Sequence, residues 1–102
     1  MNSDIYTLGV WQAKPGKEEE FIVAWKALGD FFYRLPNPPG PGTLIQSLDE
    51  PTQFYSFGPW RSLEDIQAMR ADPRSPEQIG RLAALCDTAV PGAFRVVARV
   101  GR

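Results

Sequence analysis

Histidine is absent from all 102 residues, so any chemistry here proceeds without the side chain that changes charge near neutral pH. That excludes the usual serine and cysteine hydrolase triads. The single cysteine, Cys86, can form no intramolecular disulfide and anchor no zinc cluster. It falls on an apolar stripe and reads as a small buried hydrophobe, inert unless its surroundings are electropositive. Glu18, Glu19 and Glu20 form an acidic triplet, but at the start of a helix they match the helix dipole better than they make a metal site. What remains with chemical reach is a set of hydrogen-bond donors among aromatic rings. Thr7 and Trp11 stand four residues apart in an extended segment, on one face with Gly9 between them. Trp60 ends a second extended segment just ahead of a helix. Indole N–H groups donate, hydroxyls donate and accept, and the rings supply an apolar wall.

These residues need elements to position them. Asp4 to Ala13 is rich in aliphatic, aromatic and β-branched residues and predicts a strand. Its Tyr6, Leu8 and Val10 face is continuously apolar; its other face carries Ile5 and Trp11 with the smaller Thr7 and Gly9. Lys14-Pro15-Gly16 breaks it. A helix is expected from about Gly16 to Tyr33, with Phe21, Ile22, Trp25, Leu28, Gly29 and Phe32 in one stripe. Gly29 in that stripe would let a strand approach closely. Leu35 to Gly42 holds four prolines and two glycines and is a loop, read as a stiff connector before a lid. Thr43 to Leu48 and Gln53 to Phe57 predict a hairpin around Glu50-Pro51, and Gly58-Pro59-Trp60-Arg61 closes its second strand. Ser62 caps a helix carrying Leu63, Ile66 and Met69. Asp72-Pro73 interrupts it, and Ser75-Pro76-Glu77-Gln78 restarts it as N-cap, first-turn proline and capping box. Ile79, Leu82, Ala83 and Cys86 continue the stripe, Pro91-Gly92 ends it, and Ala93 to Val100 is the last strand. No internal repeat, linker or second domain is expected.

One domain over residues 1–102 follows from the length. Eleven basic against twelve acidic residues leave a net charge of −1, which draws the chain to no nucleic acid. No run approaches membrane-spanning length, the polar start carries no signal-peptide pattern, and a reducing cytoplasm is the expected compartment. The order strand, helix, strand, strand, broken helix, strand is the α+β, ferredoxin-like βαββαβ arrangement, with an antiparallel four-stranded sheet and its helices on one side. The other side, bearing Tyr6, Leu8, Val10, Tyr55, Phe57 and Val97, is apolar too. A second copy of the same sheet in two-fold symmetry is the simplest cover, which makes the expected partner the chain itself as a homodimer.

Ser56-Phe57-Gly58-Pro59-Trp60-Arg61-Ser62-Leu63-Glu64-Asp65, a strand ending in Trp, then x-Ser, then a helix, resembles the pattern of the antibiotic biosynthesis monooxygenase superfamily. The opening Val10-Trp11-Gln12-Ala13-Lys14-Pro15-Gly16, the Ala71-Asp72-Pro73 break and the final strand are similar as well, so the resemblance spans nearly the whole chain. It implies a dimeric α+β barrel with a pocket between sheet and helices. It also implies a cofactor-independent oxygenase of a small aromatic, phenolic or quinol substrate, needing no cofactor or metal. The superfamily's haem-degrading branch carries an asparagine where this chain has Gly9, and a helical histidine that has no counterpart here. Haem degradation is therefore not expected. The histidine that follows the mid-helix proline in quinol monooxygenase-like members is matched by Arg74.

On that resemblance Trp60 and Trp11 are the candidate catalytic residues. Thr7, Phe32, Tyr33 and Arg74 are candidate substrate-binding residues: Thr7 as a hydroxyl donor, Phe32 and Tyr33 at the pocket mouth, and Arg74 as partner to a phenolate or carboxylate. Each has a plain structural reading beside it: core packing for Trp11 and Phe32, strand propensity for Thr7, and a solvated helix end for Arg74. No general base stands out. A non-catalytic dimer that binds a small apolar ligand or a protein partner is the competing reading.

Overall fold

The computed structural model describes residues 4–101. The order is β1 (Ile5–Ala13), α1 (Glu18–Tyr33), β2 (Thr43–Gln46), β3 (Gln53–Trp60), α2 (Leu63–Ala71), α3 (Ser75–Ala83) and β4 (Cys86–Arg95). The four strands form one antiparallel sheet in the order β2-β3-β1-β4. This is the expected ferredoxin-like arrangement, with the second helix divided at Asp72-Pro73. Among the described residues no helix is long and apolar enough to cross a membrane, and no cluster of His, Cys, Asp or Glu could hold a metal ion.

The helix starts and stops follow local chemistry. α1 begins at Glu18 rather than Gly16, because Gly16 takes a left-handed φ of 87° in the turn that feeds it. Glu18, Glu19 and Glu20 crowd its first turn, as the dipole favours. Ser62 caps α2, its hydroxyl accepting the Asp65 N–H at 3.2 Å. Ser75 does not cap α3. It is the first helical residue, buried, and its hydroxyl donates 2.6 Å to the Met69 carbonyl. That bond ties the start of α3 to the last turn of α2, so the break is a fixed corner.

The last strand differs most from the sequence reading. α3 ends at Ala83, where the Ala84 and Leu85 N–H groups close on Gly80 and Leu82. Cys86 therefore opens β4 instead of extending the helix, and Pro91-Gly92 lies inside the strand. A proline is tolerated there because β4 is an edge strand. The apolar spacing Ile79, Leu82, Cys86 runs straight across the helix end into the strand, which is why periodicity alone extended the helix. Val97 and Arg99 lie past β4, and Arg99 pairs with Asp4 at 3.2 Å.

β3 ends at Trp60, within the segment expected to close it. Pro59 fits because β2 stops opposite Phe57. On that open stretch the Gly40 N–H donates 2.9 Å to the Pro59 carbonyl, so the proline-rich loop takes over where the ladder ends.

Cross-strand partners share a face, which sorts the sheet cleanly. The helix-covered face carries Thr7, Gly9 and Trp11 with Phe54, Ser56, Gly58 and Trp60 opposite them. Phe21, Leu28, Phe31, Ile66, Met69 and Leu82 from the helices complete the buried core. The other face carries Tyr6, Leu8 and Val10, flanked by Tyr55 and Phe57 on β3 and by Val90 and Phe94 on β4. Ile45 lies beside Tyr55. In the single chain Val90 is 60% exposed, Phe94 55%, Ile45 49% and Tyr55 39%, an apolar face that no element among the described residues covers.

Candidate functional site

The helix-facing side of the sheet is not filled. Phe21 packs against Trp11 and Phe54, with ring centroids 5.6 and 4.8 Å apart, at the N-terminal end of α1. At its C-terminal end Phe32 meets Trp60 edge-on at 5.4 Å. These contacts prop the helix off the sheet at both ends. Between them lies a cavity of about 770 Å³. Its walls are mostly apolar: Trp25, Leu28, Met69 and Ile79 from the helices, and Thr7, Gly58 and the two other tryptophans on the sheet.

The sheet floor is built from two matching pairs. The Trp60 indole donates 2.9 Å to the Thr7 hydroxyl, and the Trp11 indole donates 2.9 Å to the buried Ser56 hydroxyl. Thr7 faces Gly58 across the ladder and Ser56 faces Gly9, so each indole reaches diagonally over the glycine step of its own strand. The residues themselves repeat. Thr7-Leu8-Gly9-Val10-Trp11 and Ser56-Phe57-Gly58-Pro59-Trp60 share one pattern: hydroxyl, apolar, glycine, apolar, tryptophan. Antiparallel pairing brings the two copies together about a local two-fold axis. Ser56 is the functional candidate that sequence reasoning missed, and the repeated pentad is the signal that finds it.

The hydrogen bonds also change what the tryptophans offer. Both indole N–H groups are engaged inside the protein. A hydroxyl that accepts one hydrogen bond still has a proton to give, and neither Thr7 nor Ser56 donates to a protein acceptor among the described residues. On the cavity floor the side-chain donors left for a ligand oxygen are therefore the two hydroxyls, each polarised by an indole behind it.

The structure brings Thr7, Trp11, Phe32, Tyr33 and Trp60 together around this one cavity. Tyr33 is exposed at the mouth, beside Lys26 and Asp30 of the same helix. Arg74 is not among the lining residues. The break at Asp72-Pro73 turns it back onto Asp72, which accepts from its Nε at 3.0 Å, its Nη2 at 2.8 Å and its backbone N–H at 2.9 Å. The Arg74 guanidinium also lies 5.3 Å from the Phe31 ring centroid. Arg74 in turn holds the Asp72 carboxyl down to about 2. The arginine that borders the cavity is Arg70, in the last turn of α2. Cys86 lies outside it, and burial pushes its thiol up, which keeps it protonated and unreactive at neutral pH.

The structure decides the space at two glycines, and at Gly29 it revises the expectation. Space above Gly9 is not free for a ligand: a Cβ there would stand 2.6 Å from the Trp11 Nε1, so the indole itself fills it. Gly29 admits no strand. Nothing lies within 4 Å of where its Cβ would be, and it borders the cavity. The proline-rich loop is more than a connector, since Pro39 to Gly42 forms a wall of the same cavity. A Cβ at Gly58 would come within 3.2 Å of the Gly42 Cα, which measures how closely loop and strand are apposed.

No family model and no curated protein matches the chain. Solved structures do. SnoaB, a cofactor-independent oxygenase from Streptomyces nogalater, superimposes with a TM-score of 0.84 at 19% identity, over 99% of this chain and 100% of that one. A candidate antibiotic biosynthesis monooxygenase from Deinococcus radiodurans gives 0.78 at 13% identity, over 96% and 97%. A conserved protein from Methanosarcina mazei Go1 gives 0.74 at 22% identity, over 89% and 90%. The chain has the fold of the antibiotic biosynthesis monooxygenases. In the monooxygenase fold as this chain builds it, the indole-hydroxyl pairs fix the cavity floor, and Gly9 is the tightest point.

Gly9→Ala must therefore push the Trp11 indole off the Ser56 hydroxyl. Overpacking of this kind costs roughly 1–3 kcal/mol, which urea denaturation would register, together with a changed tryptophan emission. A Gly9→Ala variant with unaltered stability and emission would show that the Trp11 ring has room to spare.

Proposed function

We propose that the cavity binds a small aromatic phenol or quinol and that the protein oxygenates it without flavin, metal or haem. The observation that carries this reading is the pair of hydroxyls, Thr7 and Ser56, each backed by an indole and each with a proton to donate into an apolar cavity. The fold shared with SnoaB, a cofactor-independent oxygenase, supports it.

Such a reaction needs little from the protein. The phenol loses its proton, and the electron-rich anion gives one electron to dioxygen. The resulting pair combines into a carbon-bound peroxide, which loses water to leave a carbonyl. One oxygen atom ends in the product and the other in water, with all electrons drawn from the substrate. In that scheme the Thr7 and Ser56 hydroxyls hold the developing oxyanion. The aromatic walls keep water from the carbanion-like ring. Asp30, the carboxylate bordering the cavity, receives the proton at the mouth. Lys26 and Arg70 beside it favour entry of an anion.

Oxygen-electrode measurements across hydroquinones, dihydroxynaphthalenes and anthrones test the reading. Substrate-dependent uptake by metal-free, flavin-free protein is expected, and Trp60→Phe should lower kcat at least about tenfold by releasing the Thr7 hydroxyl from its donor. Unchanged turnover would remove Trp60 from the mechanism. If ligands raise the melting temperature while no oxygen is consumed, the protein is a binding module instead.

The same reading takes a second copy of the chain as the cover for the exposed sheet face. Ile45, Tyr55, Val90 and Phe94 form an apolar surface on the side away from the cavity, and pairing two such faces removes it from water. Sedimentation should give twice the 11.4 kDa chain mass, and Phe94→Asp should yield a folded monomer. A wild-type monomer at micromolar concentration would contradict the dimer.

A further inference from the structure

Gly29 lies in the interior of α1, one turn before its end, where glycine is the least favourable residue after proline. Helix interiors keep such a residue when a neighbour needs the space, and here no neighbour does. Its absent Cβ would meet nothing within 4 Å. The emptiness in front of it is the cavity. On the same helix Trp25 lies one turn before it, and Phe32 and Tyr33 lie one turn after; all three border the cavity. Trp25 and Phe32 are separated by about 10 Å along the helix axis. The result is a slot in the helix face: aromatic at both ends, bare backbone in the middle, and open toward Thr7 and Trp60 on the sheet.

We propose that Gly29 sets how many fused rings the cavity accepts, by letting the long edge of a planar aromatic lie against the α1 backbone. A flat fused system is the shape that uses a slot of this length without a side chain in its centre. A single ring fills only the floor near Thr7 and Ser56 and does not need Gly29. Any side chain at position 29 projects into the middle of the slot and shortens it. The inference rests on reading the cavity as an aromatic-ligand site, and it is independent of whether oxygen is consumed.

The test uses binding. All three tryptophans of the chain border the cavity, so quenching of their fluorescence reports occupancy directly. Hydroquinone, a naphthalene quinol and anthrone serve as one-, two- and three-ring probes for wild type, Gly29→Ala, Gly29→Leu and Gly80→Leu. Gly80 is the control. It too is a helical glycine with nothing within 4 Å, but it is exposed and does not border the cavity. Both leucine variants should melt roughly 4 °C higher, because they remove a helix-interior glycine. Gly29→Leu should weaken anthrone binding about tenfold or more while leaving hydroquinone within about twofold, with Gly29→Ala intermediate. Gly80→Leu should leave all three affinities unchanged. The proposal is overturned if Gly29→Leu affects the probes equally or not at all, if Gly80→Leu reproduces its pattern, or if the wild type binds none of them. Wild-type protein that binds the series yet consumes no oxygen would end the monooxygenase reading and leave the role of Gly29 standing.

Discussion

The architecture of the site depends on α1 standing away from the sheet. Phe21 wedges against Trp11 and Phe54 at one end of the helix, and Phe32 meets Trp60 at the other. Aromatic pairs of this kind contribute about 0.5–1.5 kcal/mol each beyond the area they bury, and their bulk sets the height of the gap. A helix that packed directly on the sheet would leave a continuous core and no cavity. Here the buried residues form one cluster around the cavity, and the space between the two ends stays open. The same tryptophans that prop the helix form the floor, so the supports and the site are one set of residues.

That dual use explains the hydroxyls. An indole N–H buried without a partner is costly, on the order of 1–3 kcal/mol. Thr7 and Ser56 satisfy the two indoles and fix each ring in one orientation. Because a hydroxyl accepts and donates at once, the structural requirement is met without using up the donor that a ligand needs. A backbone carbonyl in the same place would have satisfied the indole but had no proton to give a ligand oxygen. Gly9 and Gly58 belong to the same solution: one leaves room for the Trp11 ring, and the other lets the proline-rich loop close against β3.

Much of this was legible in the residues. The alternation in β1, the stripe in α1, the Ser62 cap and the Asp72-Pro73 break each carry a local signal, and together they specify the element order. Trp11 and Thr7 could be placed on the helix-facing side because strand periodicity fixes faces, and Trp60 at the strand end ahead of the Ser62 cap. What was not legible depended on contacts distant in sequence. The apolar spacing through Leu82 and Cys86 suits a helix, and only the chain closing at Leu85 makes Cys86 a strand residue. Arg74 carries the charge a phenolate would want, but its neighbour Asp72 takes it through three hydrogen bonds. Ser56 and Gly29 look ordinary in isolation. One acquires meaning when the ladder sets it opposite Gly9, the other when the space before it proves empty.

The two sheet faces divide the work. One carries the polar diagonal pairs and the cavity, and the other is an apolar surface left exposed in the single chain. On the first, we propose, a ligand oxygen is held by the hydroxyls and not by the indoles. A crystal structure with a bound three-ring phenol tests this most directly. The phenolic oxygen is expected within hydrogen-bond distance of Thr7 Oγ1 or Ser56 Oγ, with both indole-hydroxyl bonds intact. A ligand oxygen accepting from Trp60 Nε1 itself, or a ligand seated outside the space between α1 and the sheet, would contradict it.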